Sequence, residues 1–120
     1  MSDAILVLLV EDDDVARDNF RNALEQAGFT VEAVDDGGDG LSRLKAQPGA
    51  FGAVVTDVNL PTLSGPDMIA QAGGALGAAG VIYLSGFAPE AGWPQGRILS
   101  KPIAKDELVR AVRDVTGPAA

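Results

Sequence analysis

Asp57 closes an apolar run. The residues before it, Ala53, Val54, Val55 and Thr56, read as a strand covered on both faces, and a carboxylate at such a place loses hydration unless something holds its charge. It is then a turn former ahead of Pro61, or a group with chemical work to do. Two more acids, Glu11 and Asp12, follow the apolar run Ala4 to Val10. Together the three carboxylates make a hard, oxygen-rich donor set of the kind that takes octahedral Mg2+. Ser85 follows Val81 to Leu84, and Lys101 with Pro102 follows Ile98 to Ser100. Phosphoryl transfer needs an in-line nucleophile and positive charge around the moving oxygens, which Asp57, Mg2+ and Lys101 supply. Each residue has a plainer reading when taken singly. The acidic run 11–14 can cap a helix, with Asp13 and Asp14 the better candidates, Ser85 can be a loop serine, and lysine is ordinary at a strand end. The plain readings fail together only if the fold brings these strand ends to one edge.

The rest of the pattern does that. Strand-length apolar runs alternate with segments of helical period, the signature of a parallel sheet with helices on both faces. The strands expected are Ala4 to Val10, Thr30 to Val34, Ala53 to Asp57, Val81 to Leu84 and Ile98 to Ser100. Helix one is expected over Asp14 to Ala27, with Val15, Phe20, Ala23, Leu24 and Ala27 inward and Gly28 as its stop. A short second helix carries Leu41 and Leu44, and a third starts at the cap Ser64, with Asp67 completing a capping box. Glycines from Gly73 onward weaken that helix's far end. The last helix runs from Lys105 to Val115 with Leu108, Val109, Val112 and Val115 inward. The fold class is α/β: a doubly wound, five-stranded parallel sheet of flavodoxin-like (βα)5 type. In such a sheet the ligand site lies at the carboxyl ends of the strands, near the point where the strand order reverses.

Composition narrows the function further. A chain of 120 residues has the size of one domain, so 1–120 is read as a single unit. With no cysteine there is no thiolate nucleophile or zinc-thiolate site, and with no histidine there is no phosphohistidine relay on this chain. Nine Lys and Arg against 17 Asp and Glu give a net charge of −8, which argues against direct binding of nucleic acid. The N-terminal apolar run is too short for a signal peptide or a membrane span, so a cytoplasmic location without membrane insertion is expected.

The segments "ILVLLVEDD" (5–13), "VVTDVNLPTLSG" (54–65), "VIYLSGF" (81–87) and "ILSKPI" (98–103), in this order, resemble the receiver domain of bacterial two-component response regulators over essentially the whole chain. The resemblance implies that Asp57 is the phosphoacceptor, Lys101 contacts the phosphoryl group and Ser85 is the switch hydroxyl. It implies that Glu11, Asp12, Asp57 and the backbone carbonyl of Asn59 hold Mg2+, Asp12 and Asp57 directly and Glu11 through water. The donor is then a histidine kinase or phosphotransfer protein, and the output a downstream protein or domain. Such a protein is no conventional enzyme, although it catalyses its own phosphorylation from a phosphodonor and its own dephosphorylation. It can stand alone or be the receiver of a hybrid histidine kinase.

Two features depart from that family's pattern. Ile98 stands where an aromatic residue is common, and only 11 residues, 86–96, connect Ser85 to the last strand, with Pro89, Gly92 and Pro94 among them. Helix four is therefore expected to be shortened or missing. The loop bearing Phe87 and Trp93 is expected to order on phosphorylation, in a monomer rather than a phosphorylation-dependent dimer. Among rival readings, a haloacid dehalogenase-type phosphatase needs an acid two residues after its nucleophile, where this chain has Asn59. A flavodoxin-like nucleotide binder needs a phosphate loop after strand one, where this chain has acids. A pseudo-receiver, binding partners without phosphorylation, would have no need of all five site residues.

Overall fold

A computed structural model describes residues 4–87 and 92–116. The elements are β1 (Leu6–Val10), α1 (Asp14–Gln26), β2 (Thr30–Val34), α2 (Gly37–Ala46), β3 (Ala53–Asp57), α3 (Gly65–Ala72), a 3-10 turn (Gly73–Leu76), β4 (Gly80–Ser85), β5 (Arg97–Ser100) and α4 (Lys105–Thr116). The strands pair in parallel in the order β2-β1-β3-β4-β5.

Period-two alternation sorts the strand residues onto two faces. Val7, Leu9, Ala53, Val55, Ile82 and Leu84 pack with Leu24 of α1 and with Leu108, Ala111 and Val112 of α4. Leu8, Val10, Val54, Val81 and Tyr83 pack on the other side with Leu44 of α2 and with Met68, Ile69 and Ala72 of α3. The sheet is thus apolar on both faces, as a parallel sheet under crossover helices must be.

The helix starts follow from their caps. Asp13 accepts from the Ala16 N–H at 2.7 Å, and Ser64 accepts from the Asp67 N–H at 3.2 Å. α1 stops before Gly28, whose φ of 101° suits a residue without Cβ. α3 gives way at Gly73, where the glycine-rich stretch continues only as a 3-10 turn.

Two expectations need correction. Val15 is 69% exposed rather than inward. It lies nine positions from the buried Leu24, about two and a half helical turns, and so on the opposite side of α1. The first strand begins at Leu6 rather than Ala4, because its register with β2 starts at Leu6 against Thr30. Between β4 and β5 no helix occurs among the described residues, and four α-helices are present among them. Part of the connection in which helix four was sought, 88–91, lies outside the described residues, and so does part of the loop expected to order on phosphorylation. Among the described residues no helix is long and apolar enough to cross a membrane.

Candidate functional site

The chain leaves β1 toward β2 on one side and returns to β3 on the other, so the strand order reverses there. The carboxyl ends of β1 and β3 border the resulting crevice. Val10 pairs with Thr56, which sets Glu11 level with Asp57, and Asp57 pairs with Leu84. Ser85 pairs with Ser100, one position short of Lys101. Backbone bonds fix this edge beyond the ladders: Lys101 N–H to the Ser85 carbonyl at 2.7 Å, Val58 N–H to Leu84 at 3.3 Å, and Glu11 N–H to Val34 at 3.1 Å.

The carboxylates meet on this frame. Glu11, Asp12 and Asp57 each offer an oxygen, all within 4.8 Å of one another. Glu11 and Asp57 are buried, whereas Asp12 is exposed. The Lys101 ammonium lies 2.7 Å from Asp57 Oδ1 and 3.9 Å from Glu11 Oε1, with its side chain 41% exposed. Asp57 Oδ1 is buried and, although charge-paired with Lys101, has no directed hydrogen bond. A buried carboxylate oxygen whose one close partner is an ammonium, beside two further carboxylates, suits a cation. Oxygens around an octahedral Mg2+ at about 2.1 Å stand roughly 3 to 4 Å apart, which the 4.8 Å limit on the separations here allows. The residues present fit the ion.

Burial is the largest cause pushing the Glu11 carboxyl up, to about 8, and the neighbouring Asp57 carboxylate adds to it. The Asp13 N–H, 3.1 Å from Glu11 Oε2, and the Lys101 charge oppose this rise. Mutual repulsion among the acids is thus secondary to desolvation at Glu11. For Lys101, partial burial pulls downward, but Asp57, Glu11 and Asp12 outweigh it and hold the ammonium above its ordinary range.

The Ser85 hydroxyl is buried and closes its own turn, donating to the Phe87 carbonyl at 2.6 Å and accepting from the Phe87 N–H at 3.2 Å. Asn59 is exposed and lines a cleft of about 370 Å3 with Phe87, Trp93 and Pro94. A second cleft, of about 620 Å3, opens beside the carboxylates between α1 and the segment after β5, lined by Glu11, Asp12, Phe20, Lys101, Pro102 and Ile103.

Sequence reasoning passed over several residues that shape the site. Arg17 donates to the Glu11 carbonyl at 3.0 Å and pairs with Asp14 at 2.6 Å, bracing the start of α1 against the acidic pair. Thr56 donates to the Asp57 carbonyl at 2.8 Å, and a β-carbon on Gly65 would stand 2.2 Å from that same oxygen. The glycine was visible as part of a helix start, but only the structure shows that it passes against the Asp57 backbone.

A family model described as response regulator receiver domain matches residues 7–113. The chain is 30% identical over 112 residues to the response regulator receiver protein CpdR of Brucella abortus (strain 2308), covering 88% of this chain and 92% of that protein. Among solved structures, it is similar to the receiver domain from the hybrid histidine kinase CckA, with a TM-score of 0.84 and 30% identity over 93% of this chain and 99% of that one. It also shares its fold with the receiver domain of the sensor histidine kinase PA1611 from Pseudomonas aeruginosa PAO1, at a TM-score of 0.83 and 24% identity, covering 96% of this chain and 99% of that one. That protein's structure holds a magnesium ion coordinated in its active site cleft.

Proposed function

The chain belongs to the response regulator receiver domain family, and on that premise we propose that it accepts a phosphoryl group on Asp57 from a histidine kinase or phosphotransfer protein and changes conformation to control a partner. The observation that carries this reading is the buried Asp57 carboxylate, level with Glu11 and 2.7 Å from the Lys101 ammonium.

Asp57 is the nucleophile. Its carboxylate attacks the phosphorus of the donor, the donor's bond to phosphorus breaks, and an acyl phosphate forms on Asp57 while the donor leaves with the bonding electron pair. Attack by water on that phosphorus later restores the carboxylate and releases inorganic phosphate. Lys101 holds positive charge against the phosphoryl oxygens throughout. A Mg2+ ion held by Glu11, Asp12, Asp57 and the Asn59 carbonyl would neutralise charge on the phosphoryl oxygens. The β3 strand end holds Asp57, with the Thr56 hydroxyl bonded to its carbonyl and Gly65 passing close against it.

Ser85 serves the signal rather than the transfer. Its hydroxyl is held by Phe87 in the unmodified protein, and a phosphoryl group on Asp57, bringing roughly −1.5 to −2 charge, offers it stronger acceptors. Turning toward them exchanges the bond to the Phe87 carbonyl for one to the phosphoryl group and so re-sets the turn at Phe87, which is 47% exposed. On this reading 1–120 acts as one receiver unit and as a monomer, without direct contact with nucleic acid. The test is beryllofluoride, a phosphoryl mimic, added with Mg2+ and followed by amide chemical shifts. Wild type should shift around Asp57, Lys101 and 85–87. Ser85→Ala should keep the shifts at Asp57 and Lys101 and lose most of those at Gly86 and Phe87. No response in wild type would favour a binding module that does not use phosphorylation, and a full response in Ser85→Ala would remove the hydroxyl from the switch.

A further inference from the structure

The loop that follows Asp57 is tied at two levels. At its base the Gly65 N–H donates to the Val58 carbonyl at 2.9 Å. At its tip the ties come from another element, the start of α2. The Gly37 N–H donates to the Pro61 carbonyl at 3.2 Å, and the Thr62 hydroxyl donates to Asp36 Oδ2 at 2.6 Å. The other oxygen of Asp36 accepts from the Asp39 N–H at 3.0 Å, so one carboxylate both caps α2 and holds the loop. α2 and the loop meet backbone to backbone, since a β-carbon on Gly37 would lie 1.8 Å from the Leu63 carbonyl oxygen.

Thr62 is strained where it is held. Its φ is 71°, the one positive value at a non-glycine position among the described residues. A β-branched side chain crowds the backbone in that region, where glycine would fit freely. Such a conformation persists where its surroundings over-determine it, and strained residues of this kind gather at functional sites. Here the surroundings are the Asp36 carboxylate and the Gly37 N–H. The Thr62 hydrogen bond is also the main cause holding the Asp36 carboxyl below its ordinary range.

We propose that Asp36, Gly37 and Thr62 form a latch that sets the loop between Val58 and Gly65, and with it the Asn59 carbonyl, for the cation at Asp57. They are positioning residues, since none of them belongs to the donor set. The inference rests on the reading of Asp57 and Asn59 given under Proposed function. Without the Thr62 hydroxyl the tip keeps the Gly37 to Pro61 bond but loses its tie to Asp36, and more of the ordering of the Asn59 carbonyl must then be done by the cation itself. Mg2+ demands near-ideal geometry, and losing an outer-shell partner of a metal ligand typically weakens binding about 10- to 100-fold. A backbone ligand steadied through an exposed side chain falls at or below the lower end of that range.

The variant that isolates the latch is Thr62→Val, which removes the hydroxyl while leaving Asp36 free to cap α2. Hydrogen exchange in the metal-free protein should quicken at the Gly37 N–H, and calorimetry should show Mg2+ affinity about 5- to 10-fold weaker, with little change in denaturation midpoint. Asp36→Asn keeps one oxygen for the cap and puts an amide N–H in the place of Oδ2, where it can donate to the Thr62 hydroxyl oxygen, so it should stay within twofold of wild type. Asp36→Ala combined with Thr62→Val should weaken Mg2+ no more than Asp36→Ala alone, because the two residues act through one bond. If wild type binds Mg2+ and Thr62→Val binds it equally, with Gly37 exchange unchanged, the latch is overturned while the reading of the site stands. If wild type takes up no Mg2+ at all, the reading of the site is overturned and the latch's role falls with it.

Discussion

Lys101→Ala is expected to take up phosphoryl groups from acetyl phosphate about 10²- to 10³-fold more slowly than wild type, the usual loss when one charge-stabilising donor is removed from a reacting centre. The ammonium stands 2.7 Å from Asp57 Oδ1, whose burial leaves no directed hydrogen bond in its place. Lys101→Arg keeps the charge on a wider planar head that must re-seat against Asp57 and Glu11, so its rate should fall between the two. The metal-free protein should also lose stability in Lys101→Ala, by on the order of 1 kcal/mol. The loss is modest because the side chain is 41% exposed and water screens the pair. Rates come from intact mass against time, and stability from urea unfolding in chelator. Uptake by Lys101→Ala at the wild-type rate would remove Lys101 from the transfer step.

Metal-free stability should fall as pH rises from about 4.5 toward about 8, and Glu11→Gln should remove most of that fall. The sign follows from where the proton is held. Glu11 has its folded pKa raised, mainly by burial, from 4.5 to about 8. Below that window both states carry the proton, and within it the unfolded chain gives it up first and is favoured. Above it both states are ionised and the dependence ends. Each pH unit is worth at most about 1.4 kcal/mol for one proton, so the loss across the window is at most about 5 kcal/mol. Glutamine keeps an oxygen for the Asp13 N–H, the bond Glu11 makes at 3.1 Å, and has no charge to bury. Asp36 acts oppositely: its folded pKa is lowered, so its contribution is present above its ordinary range and lost in more acidic solution. Urea midpoints measured in chelator from pH 4.5 to pH 8.5 decide the matter, and parallel profiles for wild type and Glu11→Gln would contradict it.

The strand ends were legible because burial on both faces writes itself as unbroken apolar runs, and each candidate polar residue stands directly after one. That placed Glu11, Asp57, Ser85 and Lys101 on one edge, where the structure has them. Helical phase was read less well. Val15 is apolar and stands near the start of α1, but it falls on the side away from Leu24, a distinction that a list of apolar residues does not make. The Ser85 hydroxyl's partner was not legible either, since a turn closed by a serine onto the second residue after it depends on the path the chain takes beyond β4. The bond from Thr62 to Asp36 spans 26 positions and joins an exposed residue to a half-buried one, neither of which leaves a periodic trace in the sequence. The dominance of burial at Glu11 belongs to the same class: it depends on what covers the side chain once sheet and helices have packed.

The central claim is that Asp57 carries the phosphoryl group. Its most direct test is intact mass after incubation with acetyl phosphate and Mg2+, run side by side on wild type and Asp57→Asn. Wild type should gain the mass of one phosphoryl group and lose it again on standing, chelation of Mg2+ should prevent the gain, and Asp57→Asn should gain nothing. Labelling of Asp57→Asn to the wild-type extent would contradict the account.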